Sequence, residues 1–321
     1  MSLKLRCFEG GAAMPSEPRC VLESSDSRYP AMLLDLPGEP PRLFVRGDPD
    51  LLSESGLAVV GSRRATPYGL AVAELAAKIA VESGIAVVSG GAVGCDQAAG
   101  RCAVQRGGRN VIVLGCGADV VYPKSSASLI NRTIEGGGAV ISLEPWGTPP
   151  RRYAFPKRNR IIAALSRATL VCEAGMPSGT FSTAETASDL GREVLAVPGS
   201  IFAPEYRGTN YLITVGATCI VDEESLEVAI SRLYGTMRYC HDAPATIVVE
   251  NGASREMLRS LVAQPMRIDE LASRLGESEH AVMMRLSELS AAGLVERLYD
   301  GRFAASKSML HGLTSFGNKR P

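Results

Sequence analysis

The chain has 321 residues, with 34 Lys and Arg balancing 34 Asp and Glu and only three His. An apolar fraction of 45% with 21% charged residues excludes wholesale disorder and leaves ample material for a large core. A formal net charge of zero excludes a uniformly basic nucleic-acid coat, but it is a cancellation. Residues 1–55 carry six bases and nine acids, 56–215 sixteen and eleven, 216–250 two and six, and 251–321 ten and eight. The middle block is the basic one.

Residues 1–15 lack the apolar core of a signal peptide, and no run approaches membrane-spanning length, so a cytoplasmic location is expected. Residues 1–50, with prolines at 15, 18, 30, 37, 40 and 41, read only as a lead-in segment. From there, short Val- and Ile-rich runs recur at 57–60, 85–88, 111–114, 139–141, 169–172 and 194–197. Helical stretches lie between them, clearest at 68–82, where Leu70, Ala73, Leu75, Ala77 and Ile79 form an apolar face. Strands apolar throughout and alternating with helices predict an α/β, Rossmann-like, doubly wound and mainly parallel sheet over 51–235. Ligands of such sheets bind beyond the carboxyl ends of the strands.

The first strand is followed by Gly61-Ser62-Arg63-Arg64 and then Thr66-Pro67. Close backbone approach at glycine, a hydroxyl and a helix N-terminus suit a phosphate, and an ordinary strand-to-helix turn with solvated arginines fits equally well. After the second strand come Ser89-Gly90-Gly91 and Ala92-Val93-Gly94-Cys95-Asp96. The spacing is not G-x-G-x-x-G and no acid ends the strand, so no nicotinamide cofactor is expected. Asp96 reads first as a helix N-terminal carboxylate and second as an orienting group for a cation or ligand. Ser178-Gly179-Thr180 places a third set of small donors at a helix start. Three such turns at neighbouring strand ends predict a row of phosphate sites.

The segment 151–160 holds five cations, Tyr153 and Phe155, and no acid. Read as a loop, it suits single-stranded nucleic acid, with Lys157, Arg158, Asn159 and Arg160 on phosphates and Phe155 stacked on a base or tucked into the core. The eight cysteines form no C-x-x-C pair, and the histidines, 241, 280 and 311, lie outside the sheet, so neither a metal site nor a cofactor is expected. Ser178 and Ser182 have no nearby His, which gives no support to nucleophilic catalysis; the chain reads as a non-enzyme.

The acidic stretch after 216 reads as a last sheet element and then a linker, placed at 236–253. Helices are predicted over 255–263, 268–275 and 278–292, with Ser278 as a cap and Gly276 and Gly293 as stops. A hairpin at 294–304 completes the outline of a winged-helix-like domain, 254–310, before a flexible tail, 311–321. Glu279 and Glu288 in the third helix make it a poor major-groove reader, so accessory or protein contacts are expected of this domain rather than duplex recognition.

Taken together these residues resemble the DNA-processing protein A family (DprA, also called Smf). The resemblance rests on Val59-Val60-Gly61-Ser62-Arg63 with Thr66-Pro67-Tyr68-Gly69, on Val87-Val88-Ser89-Gly90, and on Phe155-Pro156-Lys157-Arg158-Asn159-Arg160-Ile161-Ile162-Ala163. It continues through Ser178-Gly179-Thr180, Gly191-Arg192-Glu193-Val194, Ala196-Val197-Pro198-Gly199-Ser200 and Gly208-Thr209-Asn210, and covers roughly 29–222. It implies a recombination mediator that binds and protects single-stranded DNA and helps load the RecA recombinase, notably in natural transformation. A dimer through the Rossmann domain is implied as well. Carried over by motif, the phosphate contacts fall to Gly61, Ser62, Arg63, Ser89, Gly90, Gly91, Ser178 and Gly179, with Arg64 and Thr180 beside them.

Three departures weaken the local match: Val93 where many members have Arg, Gly100-Arg101 where a His is frequent, and Glu185 where a base is common. Two rival readings are a nucleoside-monophosphate hydrolase of the lysine-decarboxylase-like type, for which Glu185 would be the catalytic group, and a transcription regulator acting through the C-terminal domain.

Overall fold

The computed structural model describes residues 18–236, Arg238 and 252–313. Most of the expected linker and tail, with Cys7, Cys240 and His241, lie outside these residues.

The chain begins with an antiparallel pair, β1 (Arg19–Leu22) and β2 (Leu43–Gly47), and then β3 (Gly56–Val60). Alternation follows: α1 (Pro67–Glu82), β4 (Val87–Ser89), α2 (Cys95–Gln105), β5 (Asn110–Leu114), α3 (Ala127–Glu135) and β6 (Ala139–Ser142). It continues with α4 (Ala154–Ala164), β7 (Ser166–Val171), α5 (Phe181–Asp189), β8 (Glu193–Ala196), α6 (Arg207–Thr214), β9 (Thr218–Cys219) and α7 (Glu223–Tyr234).

All nine strands form one sheet in the order β1-β2-β6-β5-β4-β3-β7-β8-β9. From β6 to β9 every pairing is parallel, and β2 joins β6 antiparallel. The strands are apolar on both sides because both sides are covered. In β3, Ala58 and Val60 pack with Ile161, Ile162 and Ala164 of α4, while Leu57 and Val59 pack with Ala73, Ala77 and Ile79 of α1. Each fully buried Leu or Ile contributes about 1.5–3 kcal/mol. Winding runs outward from β3 to β6 and then returns to β7 on the other flank of β3. That reversal opens a crevice at the carboxyl ends of β3 and β7.

The six predicted strands are all present. Residues 1–50 were expected to be a lead-in only; the described part instead adds two strands to the sheet, with Leu22, Leu33, Leu43 and Val45 in its core. Its pattern was unreadable because the partner strand, β6, lies about ninety residues downstream. The segment 151–160 is also corrected: from Ala154 onward it is the first turns of α4, not a loop.

The C-terminal part consists of α8 (Gly252–Ala263), α9 (Ile268–Leu275), α10 (Glu279–Ala291), an antiparallel hairpin of β10 (Val295–Arg297) and β11 (Phe303–Ala305), and α11 (Lys307–Leu313). The predicted punctuation is in place. Ser278 Oγ accepts the Ala281 N–H at 3.3 Å, and Gly276 and Gly293 take φ of 65° and 71°. These elements enclose their own core around Leu258, Leu271, Leu286 and Val295. Among the described residues no helix is long and apolar enough to cross a membrane.

Candidate functional site

Three loops meet at the switch point. The first, Gly61–Thr66, passes so close to α2 that a Cβ on Gly61 would lie 2.6 Å from Cys95 Sγ. Gly94 is as tight: at φ 94°, its Cβ would lie 2.1 Å from the Ser62 carbonyl oxygen. The Ser62 N–H donates to the Glu173 carbonyl (2.8 Å), and Ser62 Oγ accepts from the Arg64 N–H (3.1 Å). This tight turn leaves the Arg63 and Arg64 side chains exposed.

The Glu173 side chain, fully buried after β7, fastens this loop from below. It accepts the Thr66 N–H (3.1 Å) and Oγ1–H (2.5 Å), and Thr66 Oγ1 in turn caps α1 by accepting the Gly69 N–H. Glu173 was not among the residues expected at the site. The available signal was an acid ending an all-apolar strand, since a buried carboxylate there must be fastening something. Burial pushes its carboxyl up from an ordinary 4.5 to about 7, opposed by the Thr66 hydrogen bonds.

Between those two pH values the folded chain holds a proton that the unfolded chain has released. Stability therefore falls as pH rises from about 4.5 to about 7, by about 3 kcal/mol in all, and is flat above that for this group. Urea titrations across this range should show that slope in the wild type and lose it in Glu173→Gln. An identical slope in the variant rules the assignment out.

The second loop, 90–94, is held by Asp96 and Gln97. Asp96 Oδ2 accepts the Gly90 N–H at 3.1 Å, and Gln97 Nε2 donates to the Gly91 carbonyl at 3.2 Å. Asp96 thus occupies the first turn of α2 as expected and also faces a cation, Arg158. Burial raises the Asp96 carboxyl above its ordinary value, with Arg158 the largest opposing influence; burial correspondingly lowers Arg158.

Arg158, expected on a phosphate, proves to be almost fully buried beneath the pocket. It is 4% exposed, its Nη1 donates to the Val113 carbonyl at 2.8 Å, and a Cβ on Gly90 would fall 1.5 Å from that nitrogen. Helical period explains the position: in α4 it shares the inner face with Ala154, Ile161 and Ile162.

Around this buried cation is a pocket of about 100 Å³, lined by Arg63, Gly90, Leu114, Tyr122, Phe155 and Arg158 among others. Phe155 is half-buried, wedged over Gly115, with its ring 5.9 Å from that of Tyr122 and 5.5 Å from the Arg63 guanidinium. It is therefore neither a core residue nor a free ring but a wall of the pocket. Lys157 is exposed and lies over the Tyr153 ring at 5.2 Å, and Arg160 is exposed on the same helix.

The third loop is tied to α4 by Asn159, whose Nδ2 donates to the Gly179 carbonyl (3.2 Å) and to Ser182 Oγ (2.9 Å). Asn159 is thereby a positioning residue. Ser178 Oγ accepts the Thr180 N–H and donates to Thr180 Oγ1, and Thr180 is largely buried; Gly179 faces open space. Ser89 is buried as well, so its side chain is no surface donor.

Of the three departures, Val93 is exposed at the pocket rim and supplies no charge there. Arg101 does not replace that charge: it bonds Gln97 Oε1 at 2.9 Å, down the side of α2. Glu185 is exposed on α5 and does not line the pocket, which removes the geometric support for the hydrolase reading.

Comparisons with known proteins bear on the family and the fold. The family described as DNA recombination-mediator protein A matches over residues 20–230. Protein Smf of Escherichia coli K12 is 33% identical across 94% of this chain and 82% of its own length, and DNA processing protein DprA of Streptococcus pneumoniae R6 is 39% identical across 63% and 71%. The X-ray structure of DprA from Streptococcus pneumoniae superposes with a TM-score of 0.60 at 37% identity, covering 66% of this chain and 74% of that one. DprA from Helicobacter pylori, described for its single-stranded DNA binding mode, gives 0.61 at 27% identity, covering 68% and 98%. On a match that takes in the whole sheet and all three loops, the chain belongs to the DNA recombination-mediator protein A family.

Proposed function

We propose that this chain is a non-catalytic, cytoplasmic recombination mediator that binds single-stranded DNA across the carboxyl ends of β3, β4 and β7, protects it and helps load the RecA recombinase. One observation carries the reading: Arg63 and Arg158 line a pocket too small for a duplex, with the Phe155 ring in its wall, and exposed Arg64, Lys157 and Arg160 stand on the same loop and helix that supply those residues. Phosphates meet the arginines and the turns at Gly61, Gly90, Gly91 and Gly179. An unstacked base meets the ring. A homodimer is supported by the far sheet edge, where Val221 and Val228 are exposed beside the short strand β9. Residues 254–310 serve as a winged-helix-like accessory domain.

The test is affinity for single-stranded against duplex DNA as salt rises, on the full chain. Single strands should bind more tightly, with log K falling by about 0.7 per phosphate neutralised for each unit of log salt, hence a slope near −3 for four cations. Equal affinity for duplex, or binding indifferent to salt, would count decisively against the reading.

A further inference from the structure

The loop joining β8 to α6 presents two apolar side chains to solvent: Ile201 is 76% exposed and Phe202 80%. This is not slack chain. Asn210 clamps Gly199 through both its amide and its carbonyl, at 3.1 and 3.0 Å, and a Cβ on Gly199 would strike the Tyr206 ring. The Phe202 N–H donates to Ser200 Oγ, closing a turn that holds the two side chains outward. The loop adjoins the phosphate loops. The Tyr206 hydroxyl lies 3.4 Å from Thr66 Oγ1, and the Pro204 carbonyl oxygen lies 3.3 Å from where a Cβ on Gly175 would be.

The C-terminal hairpin reaches the same loop. Arg302 forms an ion pair with Glu205, three residues from Phe202, and holds Asp300 at 2.6 Å. Gln264 accepts from Ser200 Oγ at 2.9 Å, and Lys307 of α11 pairs with Glu74 of α1 at 2.5 Å. The turn of this hairpin carries Tyr299, fully exposed. Arg302 offsets one of the two charges of Glu205 and Asp300, and Arg207, Arg267 and Arg297 are exposed on the same loop and hairpin region, outnumbering the remaining acids Asp300 and Glu296.

We propose that Ile201, Phe202 and Tyr299 form a stacking surface, shared by the sheet domain and the hairpin, that takes bases of a single DNA strand leaving the strand-end site. This inference rests on the single-strand reading above and deepens it. Isolated aromatic rings standing free among arginines suit flat, sequence-tolerant base stacking; a protein partner would be served by a contiguous apolar face. The spacing also fits. Phe155 lies at the end of β5 and Phe202 beyond β8, four strand spacings of about 4.8 Å apart, or about 19 Å. That is within the reach of a site of about 4–16 nucleotides.

The experiment compares Phe202→Ala/Tyr299→Ala with wild type and Arg63→Glu, all full-length, on oligothymidines of about three nucleotides, too short to span the two sites, and of about thirty. Both aromatic positions are exposed, so the fold should stand, which thermal unfolding checks. The double variant should bind the long strand about 10- to 100-fold more weakly and the short one as wild type does, with an unchanged salt slope because no charge is lost. Arg63→Glu should lose both ligands. Wild-type affinity of the double variant for the long strand, with Arg63→Glu defective, overturns the stacking surface alone and leaves a protein-contact role for these side chains. An equal loss on both lengths overturns it too. Undiminished binding by Arg63→Glu would instead bring down the strand-end site itself.

Discussion

Arg63→Glu should lower affinity for single-stranded DNA by about 100-fold or more while leaving the fold as stable as wild type. Arg63 is the exposed cation closest to the pocket, its guanidinium 5.5 Å from the Phe155 ring that forms one wall. Two exposed unit charges 4 Å apart interact by about 4 kcal/mol where the effective dielectric is near 20, and reversal turns this attraction into repulsion. Even a third of that change, after screening by salt, exceeds a factor of ten. No ion pair of the folded chain is sacrificed among the described residues, so stability should move by less than about 0.5 kcal/mol.

Arg63→Lys separates two contributions of this side chain. An ammonium keeps the charge but not the planar face that lies against Phe155, so a loss of about 3- to 10-fold is expected with little change in salt slope. In Arg63→Glu the slope itself should become shallower by at least about 0.7. Fluorescence anisotropy of a labelled strand at several salt concentrations measures both. A wild-type slope in Arg63→Glu would mean that phosphates do not reach this loop.

The sheet and its ligand end were legible from sequence because strands covered on both faces leave an unmixed apolar signature, and because glycine turns mark where backbone must approach closely. At Gly61, Gly90 and Gly94 the structure supplies the physical reason, a neighbouring side chain or carbonyl that leaves no room for a Cβ. The C-terminal helices were legible for another reason: their caps and stops are local, so Ser278, Gly276 and Gly293 act through residues three or four away.

What failed was everything that depends on a distant partner. β2 pairs with β6 across about ninety residues, and nothing in its own proline-flanked sequence announces that. The burial of Arg158 was not anticipated because its neighbours are basic, although the spacing Ala154, Arg158, Ile161, Ile162 already marked an inward helical face. Glu173 was missed because its role is to hold Thr66, more than a hundred residues earlier.

Arg158→Met should destabilise the fold by about 3–5 kcal/mol, the range for removing one member of a buried charge pair. Met keeps most of the volume but removes the only cation opposing the buried Asp96 carboxylate among its main influences, and it leaves the Val113 carbonyl without this donor. Asp96 would respond by holding its proton to still higher pH, so the loss should grow as pH rises past the ordinary carboxylate range. Pairing Arg158→Met with Asp96→Asn should recover part of the loss, because the neutral amide no longer needs a counter-charge and its oxygen can still accept the Gly90 N–H. Urea unfolding of both single variants and the double variant closes the cycle. Additive losses would show that Arg158 and Asp96 do not sense each other. DNA binding by Arg158→Met, measured well below its unfolding midpoint, then distinguishes the two arginines. Arg63 is a contact made from the rim, whereas Arg158 acts mainly by holding α4 to β5 and by setting the charge beneath the pocket, so its loss should weaken binding less than Arg63→Glu does while costing far more stability.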